Sequence, residues 1–248
     1  MKRLLFLLLI LPAISNAQLD SVASRSYQWI NPAKTTVLFE GSTYDFEWMQ
    51  MSARRITVGK KTLKAEVPKN EEQLLIVKSG TIQIRFHDST FNIEPGSIAL
   101  LLPGEKYTLN NPGSSVTDYY LMKYRSKLPP DTERGKNAGG SFVKNWDKIQ
   151  FNPHDRGGVR NYFNRATAMS KRFEMHVTTL NGGLRSHDPH THRAAEIILL
   201  REGNTEMQIA QNFFKGKGGD FYFVESNLLH GIRNEGTTAC MYFAFQFE

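Results

Sequence analysis

The sequence predicts an all-β protein made of two similar domains, each a small barrel or sandwich of about 100 residues. Three observations support this prediction. The chain repeats itself at a fixed spacing, apolar runs of strand length alternate with Gly, Asn and Pro, and no long helical period with caps follows residue 17. With 248 residues, 40% of them hydrophobic, the chain is long enough for two cores and too apolar for wholesale disorder. Its single cysteine, Cys240, excludes an intrachain disulfide and a cysteine-rich zinc module.

The repeat has the same offset, 123 residues, at every anchor. The anchors are turn residues, and they pair as Gly80 with Gly203, Gly96 with Gly219, and Asn111 with Asn234. Apolar runs share the offset, residues 74–77 with 197–200 and residues 117–122 with 240–245. Coincidence of three independent spacings indicates a duplicated domain.

Short aromatic-rich runs predict the strands of each copy. The clearest are residues 206–209, 221–224 and 241–245. Residues 145–148 and 157–161 are predicted as short turns, the second on its two glycines.

The N-terminus has the pattern of a secretory signal peptide. Lys2 and Arg3 precede an apolar run of 11 residues at positions 4–14, which is too short to span a bilayer. Small residues, Ser15 and Ala17, mark a cleavage site after Ala17. The alternative is an uncleaved anchor. We expect an exported protein, periplasmic or secreted, with no stable membrane insertion after cleavage.

Composition shifts divide the rest of the chain. We predict a signal peptide at 1–17, a first domain at 18–125, a linker rich in Pro, Gly and charge at 126–149, and a second domain at 150–248. The formal net charge of +7 falls to +5 on cleavage, and the basic residues are scattered. We therefore expect a small-molecule substrate or ligand as partner and no nucleic acid.

The second half contains a set of metal-ligand side chains, His190, His192, Glu196 and His230. Residues two apart on a strand point to one face, so His190 and His192 share a face. Glu196 has the same parity and can join that face from the start of the next strand, and His230 can approach from another strand across the barrel. Three imidazoles and one carboxylate suit Mn²⁺, Fe²⁺, Zn²⁺, Ni²⁺ or Cu²⁺. Such a site carries one net positive charge, which an anionic oxygen would neutralise.

The spacing of these residues resembles the first motif of the cupin superfamily. That motif reads Gly, five others, His-x-His, three or four others, Glu, six others, Gly. Here His190-x-His192 is followed by Glu196 and, after six others, by Gly203, whereas the leading glycine falls one position early at Gly183.

The second cupin motif has its counterpart further on. It reads Gly, five others, Pro-x-Gly, two others, His, three others, Asn. Gly219, His230 and Asn234 match, whereas Glu225 and Asn227 replace Pro and Gly. Asn tolerates a left-handed backbone, so the turn remains feasible. The resemblance implies two tandem cupin-type jelly-roll barrels, a bicupin, with a metal inside the second.

The first copy lacks these ligands. The positions 123 residues before them hold Val67, Lys69, Gln73 and Tyr107, none a usual metal ligand in this arrangement. We predict that the first barrel has lost its metal and is a structural half that packs against the second. The alternative is a metal-free binding pocket in the first barrel.

Other candidates for chemistry come from single positions. His187 is either a proton shuttle at the pocket mouth or a loop residue, and Gln246 is a candidate substrate donor. Alternation lets only one of Met175 and His176 face the barrel interior, and we expect His176 on the outer face. Cys240 is expected to be a buried apolar residue. Three arginines are either bidentate binders of a substrate carboxylate or solvated surface residues, namely Arg160, Arg172 and Arg185. The aromatic residues expected in the core, with one or two lining the pocket, are Phe221, Phe223, Phe243 and Phe245.

The family resemblance implies a function class. The two-domain layout resembles ureidoglycine aminohydrolases, although these use Glu, His, His and Gln in a different order, and the ligand set is closer to germin-like and oxalate-acting manganese cupins. We expect one divalent metal, Mn or Fe before Zn or Ni, in an enzyme for a carboxylate, uronate, sugar or ureido acid, with hydrolase, isomerase, lyase and oxidoreductase open. The alternative is a non-catalytic small-molecule or carbohydrate-binding module with a structural metal. By analogy with the family, a homodimer is the oligomer to test.

Overall fold

The computed structural model describes residues 20–59 and 62–248. The predicted signal peptide at residues 1–17 lies outside them. In this described part of the chain, no helix has the length and hydropathy needed to cross a membrane. Regular structure is almost entirely β, which confirms the predicted class.

The strands fall into two sets joined by a short connecting segment. Those of the first half are β1 Arg25–Tyr27, β2 Thr35–Gly41, β3 Phe46–Ile56, β4 Leu63–Glu66, β5 Glu72–Ser79, β6 Ile82–Phe86, β7 Ser89–Ile93, β8 Ile98–Leu101, β9 Lys106–Asn110 and β10 Thr117–Ser126. The connecting segment holds α1 Thr132–Asn137, β11 Phe142–Lys144 and a 3₁₀ helix at Trp146–Lys148. Those of the second half are β12 Asn152–His154, β13 Gly157–Arg165, β14 Phe173–Leu180, β15 Ala195–Glu202, β16 Asn204–Ile209, β17 Asn212–Lys217, β18 Phe221–Val224, β19 His230–Asn234 and β20 Cys240–Phe247.

Each half packs a large antiparallel sheet on a small one. The sheet orders are β11-β8-β5-β10-β3-β2 with β4-β9-β6-β7 in the first half, and β1-β18-β15-β20-β14-β13-β12 with β17-β16-β19 in the second. A separate apolar cluster fills the space between the two sheets of each half. This is the jelly-roll arrangement of two tandem cupin-type barrels.

The 123-residue offset holds in the backbone. Strands β8 and β18 coincide at this offset, and Asn111 and Asn234 make the same bonds, each donating to two backbone carbonyls and accepting from the N–H two residues on. Gly104 and Asn227 are both left-handed, with φ of 79° and 61°. The prediction that asparagine suits this turn is therefore confirmed.

The largest apolar cluster lies between the two halves. The large sheets pack face to face there, with Met51 and Tyr120 on one side and Phe173 and Met175 on the other. All four aromatics expected in the core belong to this cluster, namely Phe221, Phe223, Phe243 and Phe245. None of them lines the pocket, because their strand neighbours, such as Tyr222 and Tyr242, face the interior of the second barrel instead.

Edge strands cross between the halves. Strand β1 pairs with β18 of the second half, and β11 pairs with β8 of the first. The segment predicted as a linker, 126–149, therefore contains a sheet strand and also helix α1, whose first turn is capped by the Asp131 carboxylate accepting from Arg134 N. Residues 157–161, predicted as a turn, form the start of β13, so the glycines at 157 and 158 serve close strand packing.

Candidate metal centre

The first two histidines lie on the loop that leads into β15. His190 forms an isolated bridge with His230, through backbone hydrogen bonds of 3.0 and 2.9 Å in the two directions. His192 is held by its carbonyl, which accepts from Asn227 N at 2.9 Å. The prediction placed both residues on one strand, but only this single bridge at His190 is β-like. Their side chains still converge, because the loop before β15, which carries His190 and His192, is bonded to the loop before β19, which leads to His230.

The four candidate ligands meet inside the second barrel. One nitrogen of each imidazole, of His190, His192 and His230, lies within 4.8 Å of the others. Glu196 begins β15 on the large sheet, and His230 begins β19 on the small one. Oε2 of Glu196 lies 3.1 Å from Nε2 of His230 and 3.7 Å from Nε2 of His192. The arrangement brings together the donor set predicted from the motifs.

Backbone carbonyls orient two of the imidazoles. Nδ1 of His192 lies 2.8 Å from the Ala194 carbonyl, and Nδ1 of His230 lies 2.7 Å from the Leu228 carbonyl. An Nδ1–H donated to a carbonyl leaves the Nε2 lone pair free, which is how protein metal sites fix a histidine tautomer. Nε2 of His230 is buried and makes no hydrogen bond, although Glu196 is close. A buried imidazole nitrogen that makes no hydrogen bond and lies 3.1 Å from a carboxylate oxygen fits a cation held between the two.

The close charges shift the pKa values of the ligands. Burial would raise the pKa of Glu196, but the imidazoles of His192 and His230 and the amide of Gln246 outweigh it and hold this pKa well below its usual range. The Glu196 carboxylate raises the pKa of His192. Burial, with the neighbouring imidazoles, lowers the pKa of His190. Glu196 is therefore ionised at neutral pH and available as an anionic ligand.

Gln246 lies directly beside these ligands. Its Nε2 donates to Oε1 of Glu196 at 3.2 Å and lies 3.3 Å from Nε2 of His192. It pairs across the sheet with Glu196 on one side and Glu174 on the other. The inner face of the sheet thus carries three polar side chains in one row.

His176 shares this inner face, contrary to the expectation that it points outward. It pairs with Ala244, which lies in the cluster inside the second barrel, whereas Met175 packs between the halves. Nδ1 of His176 lies 3.5 Å from Oε1 of Glu174, and both side chains are about one-quarter exposed. The outward expectation is wrong because the outer face of β14 is the apolar one, buried against the first half.

One of the three candidate arginines lies at the site. Arg172 contacts the Glu174 carboxylate, and its positive charge opposes, without overcoming, the effect of Glu196 that raises the pKa of His192. Arg160 stacks on Trp146, with its guanidinium carbon 4.3 Å from the ring centroid, in the connecting segment. Arg185 forms a backbone bridge and is exposed.

His187 and Cys240 differ in exposure, the first being exposed and the second buried. The exposed His187 ring lies edge-on to His190, with centroids 4.2 Å apart, so it stands at the rim of the centre. Cys240 is buried, and burial raises the pKa of its thiol to about 11, which suits the predicted apolar role.

Hydrogen bonds replace the ligands in the first half. The Tyr107 hydroxyl donates to Oε1 of Gln73 at 2.8 Å, and Nε2 of Gln73 donates to Glu71 at 2.7 Å. Val67 is fully buried. The equivalents of Glu196 and His230 thus satisfy each other with a neutral hydrogen bond, which needs no cation.

Comparison with known proteins supports the fold. A family model described as "Cupin domain" matches residues 176–245, and no curated protein matches the chain. AerE from Microcystis aeruginosa is similar in structure, with a TM-score of 0.64, 15% identity and coverage of 91% of this chain and 98% of that chain. A putative glyoxylate-induced protein from Pseudomonas aeruginosa is similar with a TM-score of 0.65 and 14% identity, and the match covers 93% of this chain and 84% of that chain. An oxalate decarboxylase from Lactobacillus farciminis, in a formate complex, is similar with a TM-score of 0.62 and 9% identity, and the match covers 92% of this chain and 87% of that chain.

Proposed function

We propose that this protein, which has the two-barrel cupin fold, is an exported metal-dependent enzyme for a small anionic or oxygen-rich substrate. One divalent ion, Mn²⁺ or Fe²⁺ before Zn²⁺ or Ni²⁺, is held by His190, His192, Glu196 and His230. The observation that carries the proposal is Nε2 of His230, buried without a hydrogen bond and 3.1 Å from the Glu196 carboxylate. Export rests on the sequence pattern of residues 1–17.

Charge favours an anionic substrate, such as a carboxylate, a uronate, a sugar acid or a ureido acid. When bound, a divalent ion supplies a Lewis acid and lowers the pKa of a bound water. With Glu196 as the one anionic ligand, a bound divalent ion would leave the centre with one net positive charge, whereas the charge of Arg172 is balanced by the Glu174 carboxylate that it contacts. Structures similar in fold include an oxalate decarboxylase with formate, a carboxylate, and this supports the same substrate class.

Glu174 and His176 are the side chains suited to proton transfer. Both lie on β14, on the inner face of the large sheet that also carries Gln246 of the neighbouring strand β20, and Gln246 contacts the Glu196 and His192 ligands. Nδ1 of His176 lies 3.5 Å from Oε1 of Glu174, and we assign the other ring nitrogen to accept a proton from bound substrate or donate one to it. Gln246 positions Glu196 and donates to a substrate oxygen.

Metal analysis of residues 18–248, purified without chelator, tests the proposal. We expect about one equivalent of a divalent metal per chain, because one donor set is complete. Manganese or iron would direct assays to carboxylate and oxygen-dependent chemistry, and zinc or nickel to hydrolytic, lyase or isomerase chemistry. No metal, and no uptake of any of these ions, would contradict the proposal and favour a binding module.

We also expect the affinity for Mn²⁺ to rise with pH. Metal binding needs unprotonated imidazole nitrogens, and the pKa of His192 is raised by Glu196. Protons therefore compete at and somewhat above the usual histidine pKa of about 6.5. Calorimetric titrations at pH 6, 7 and 8 should give a dissociation constant that falls as the pH rises. Equal constants at all three values would contradict histidine ligation.

A further inference from the structure

The loops that carry the ligands touch one turn of the first half. This turn, Tyr44 and Asp45, lies between β2 and β3. Arg193, next to His192, donates two hydrogen bonds to the Asp45 carboxylate, at 2.8 and 2.6 Å. Its guanidinium carbon lies 4.3 Å from the Tyr44 ring centroid. A bidentate, stacked arginine has a fixed orientation, so the loop around His192 is tied to the first half.

The same turn binds the loop before His230. The backbone N–H of Tyr44 donates to Oε2 of Glu225 at 3.1 Å, and the other oxygen of Glu225 accepts from Ser226 N at 2.9 Å. The Ser226 hydroxyl in turn donates to the Arg193 carbonyl. One turn is therefore bonded to both loops, and the two loops are bonded to each other.

The half without ligands lacks the charged partners. Asn70 and Leu102 stand 123 residues before Arg193 and Glu225, and neither carries a charge. The turn 123 residues after Asp45, at Ala168, contacts the first half through its backbone N–H, which donates to the Glu72 carboxylate at 2.7 Å. The arginine–carboxylate pair is therefore found beside the ligand-carrying loops and not at the equivalent turn.

We propose that Tyr44, Asp45, Arg193 and Glu225 form a clamp by which the first half positions the metal ligands of the second. The inference rests on the proposed function, since it assumes that the ligands bind a metal. Asp45 and Arg193 are positioning residues and touch neither metal nor substrate. Groups that hydrogen-bond a metal ligand directly contribute about 10–100-fold to metal affinity. The clamp acts one residue away, through the loop backbone, so we expect an effect at the lower end of this range.

Asp45→Asn tests the clamp, with Asp118→Asn as the matched control. Asp118 accepts a bidentate pair from Arg55, at 2.7 and 2.8 Å, within the first half. Mn²⁺ is titrated into chelator-treated residues 18–248, and the melting temperature is recorded without metal. We expect Asp45→Asn to raise the dissociation constant about 10-fold and Asp118→Asn to leave it within about threefold.

Two further variants make the result decisive. Arg193→Lys keeps the charge but loses the bidentate geometry, so it should weaken Mn²⁺ binding with little change in melting temperature. The reversed pair, Asp45→Arg with Arg193→Asp, should recover part of the affinity. If the wild-type protein binds Mn²⁺, and Asp45→Asn and Arg193→Lys bind it with the same dissociation constant, the clamp is overturned and the proposed function is not. A wild-type protein that binds none of the four candidate ions would overturn the proposed function and the clamp with it.

Discussion

Replacing His230 with Ala is expected to reduce Mn²⁺ affinity by more than about 100-fold, beyond the range seen when only a supporting partner is lost. His230 is 2% exposed, and its Nδ1 is bound to the Leu228 carbonyl. Its Nε2 makes no hydrogen bond in the described structure and lies 3.1 Å from Oε2 of Glu196. Alanine removes one of three imidazoles and leaves the Glu196 carboxylate with fewer partners. Metal content by elemental analysis and Mn²⁺ titration both measure the loss.

Tyr107→Phe is the matched control for His230→Ala. Tyr107 occupies the equivalent position in the first half, is similarly buried, and makes one hydrogen bond, to Gln73. Its loss should lower the free energy of unfolding by about 1 kcal/mol and leave the metal content unchanged. Equal metal in wild type, His192→Ala, His230→Ala and Tyr107→Phe would refute the ligand assignment.

The ligand set could be predicted from sequence, whereas its surroundings could not. His190, His192, Glu196 and His230 stand at fixed spacings from glycines that also repeat in the other half, so their register was visible. Gln246 was also a candidate because it shares the parity of Ala244. The spacing of the motif does not depend on what the outer face of the barrel contacts, so the sequence alone predicted that these side chains lie close together. Their binding of a metal stays a prediction.

Glu174 and His176 needed information that a single sequence does not contain. Strand β14 alternates apolar with polar residues, which ordinarily places the apolar face inside a barrel. Here the outer face of the barrel is buried against the other half, so Phe173 and Met175 point outward and the polar residues line the interior. The predicted alternation of the two faces was correct. The assignment of the apolar face to the barrel interior was wrong, because the sequence does not show that the two halves pack against each other.

The pairing of strands that are distant in sequence could not be predicted either. Strands β1 and β11 are three residues each, and their partners β18 and β8 lie in the other half of the sequence or across a helix. Runs this short have no readable period, so only the sheet edge they complete defines them. The Arg193–Asp45 contact spans 148 residues and has the same origin.

Phe221→Ala is expected to lower the free energy of unfolding by about 3–5 kcal/mol, the range measured when a buried aromatic side chain is truncated to alanine. Phe221 has no exposed surface and belongs to the cluster between the halves. Its ring stacks on Tyr27 at 5.3 Å and lies 5.6 Å from Phe39, both in the first half. Because this is the largest apolar cluster of the described structure, the two barrels should unfold together in one transition.

The control for this variant is Phe213→Ala on the hairpin of β16 and β17. Phe213 is 57% exposed, so its truncation should change the free energy of unfolding by less than about 0.5 kcal/mol. Denaturant unfolding followed by circular dichroism measures both variants, and hydrogen exchange reports β5 and β15 separately. Simultaneous loss of protection in both strands is expected for Phe221→Ala. Loss in β15 with full protection of β5 would mean that the halves fold independently, and that the clamp at Arg193 joins two separately stable domains.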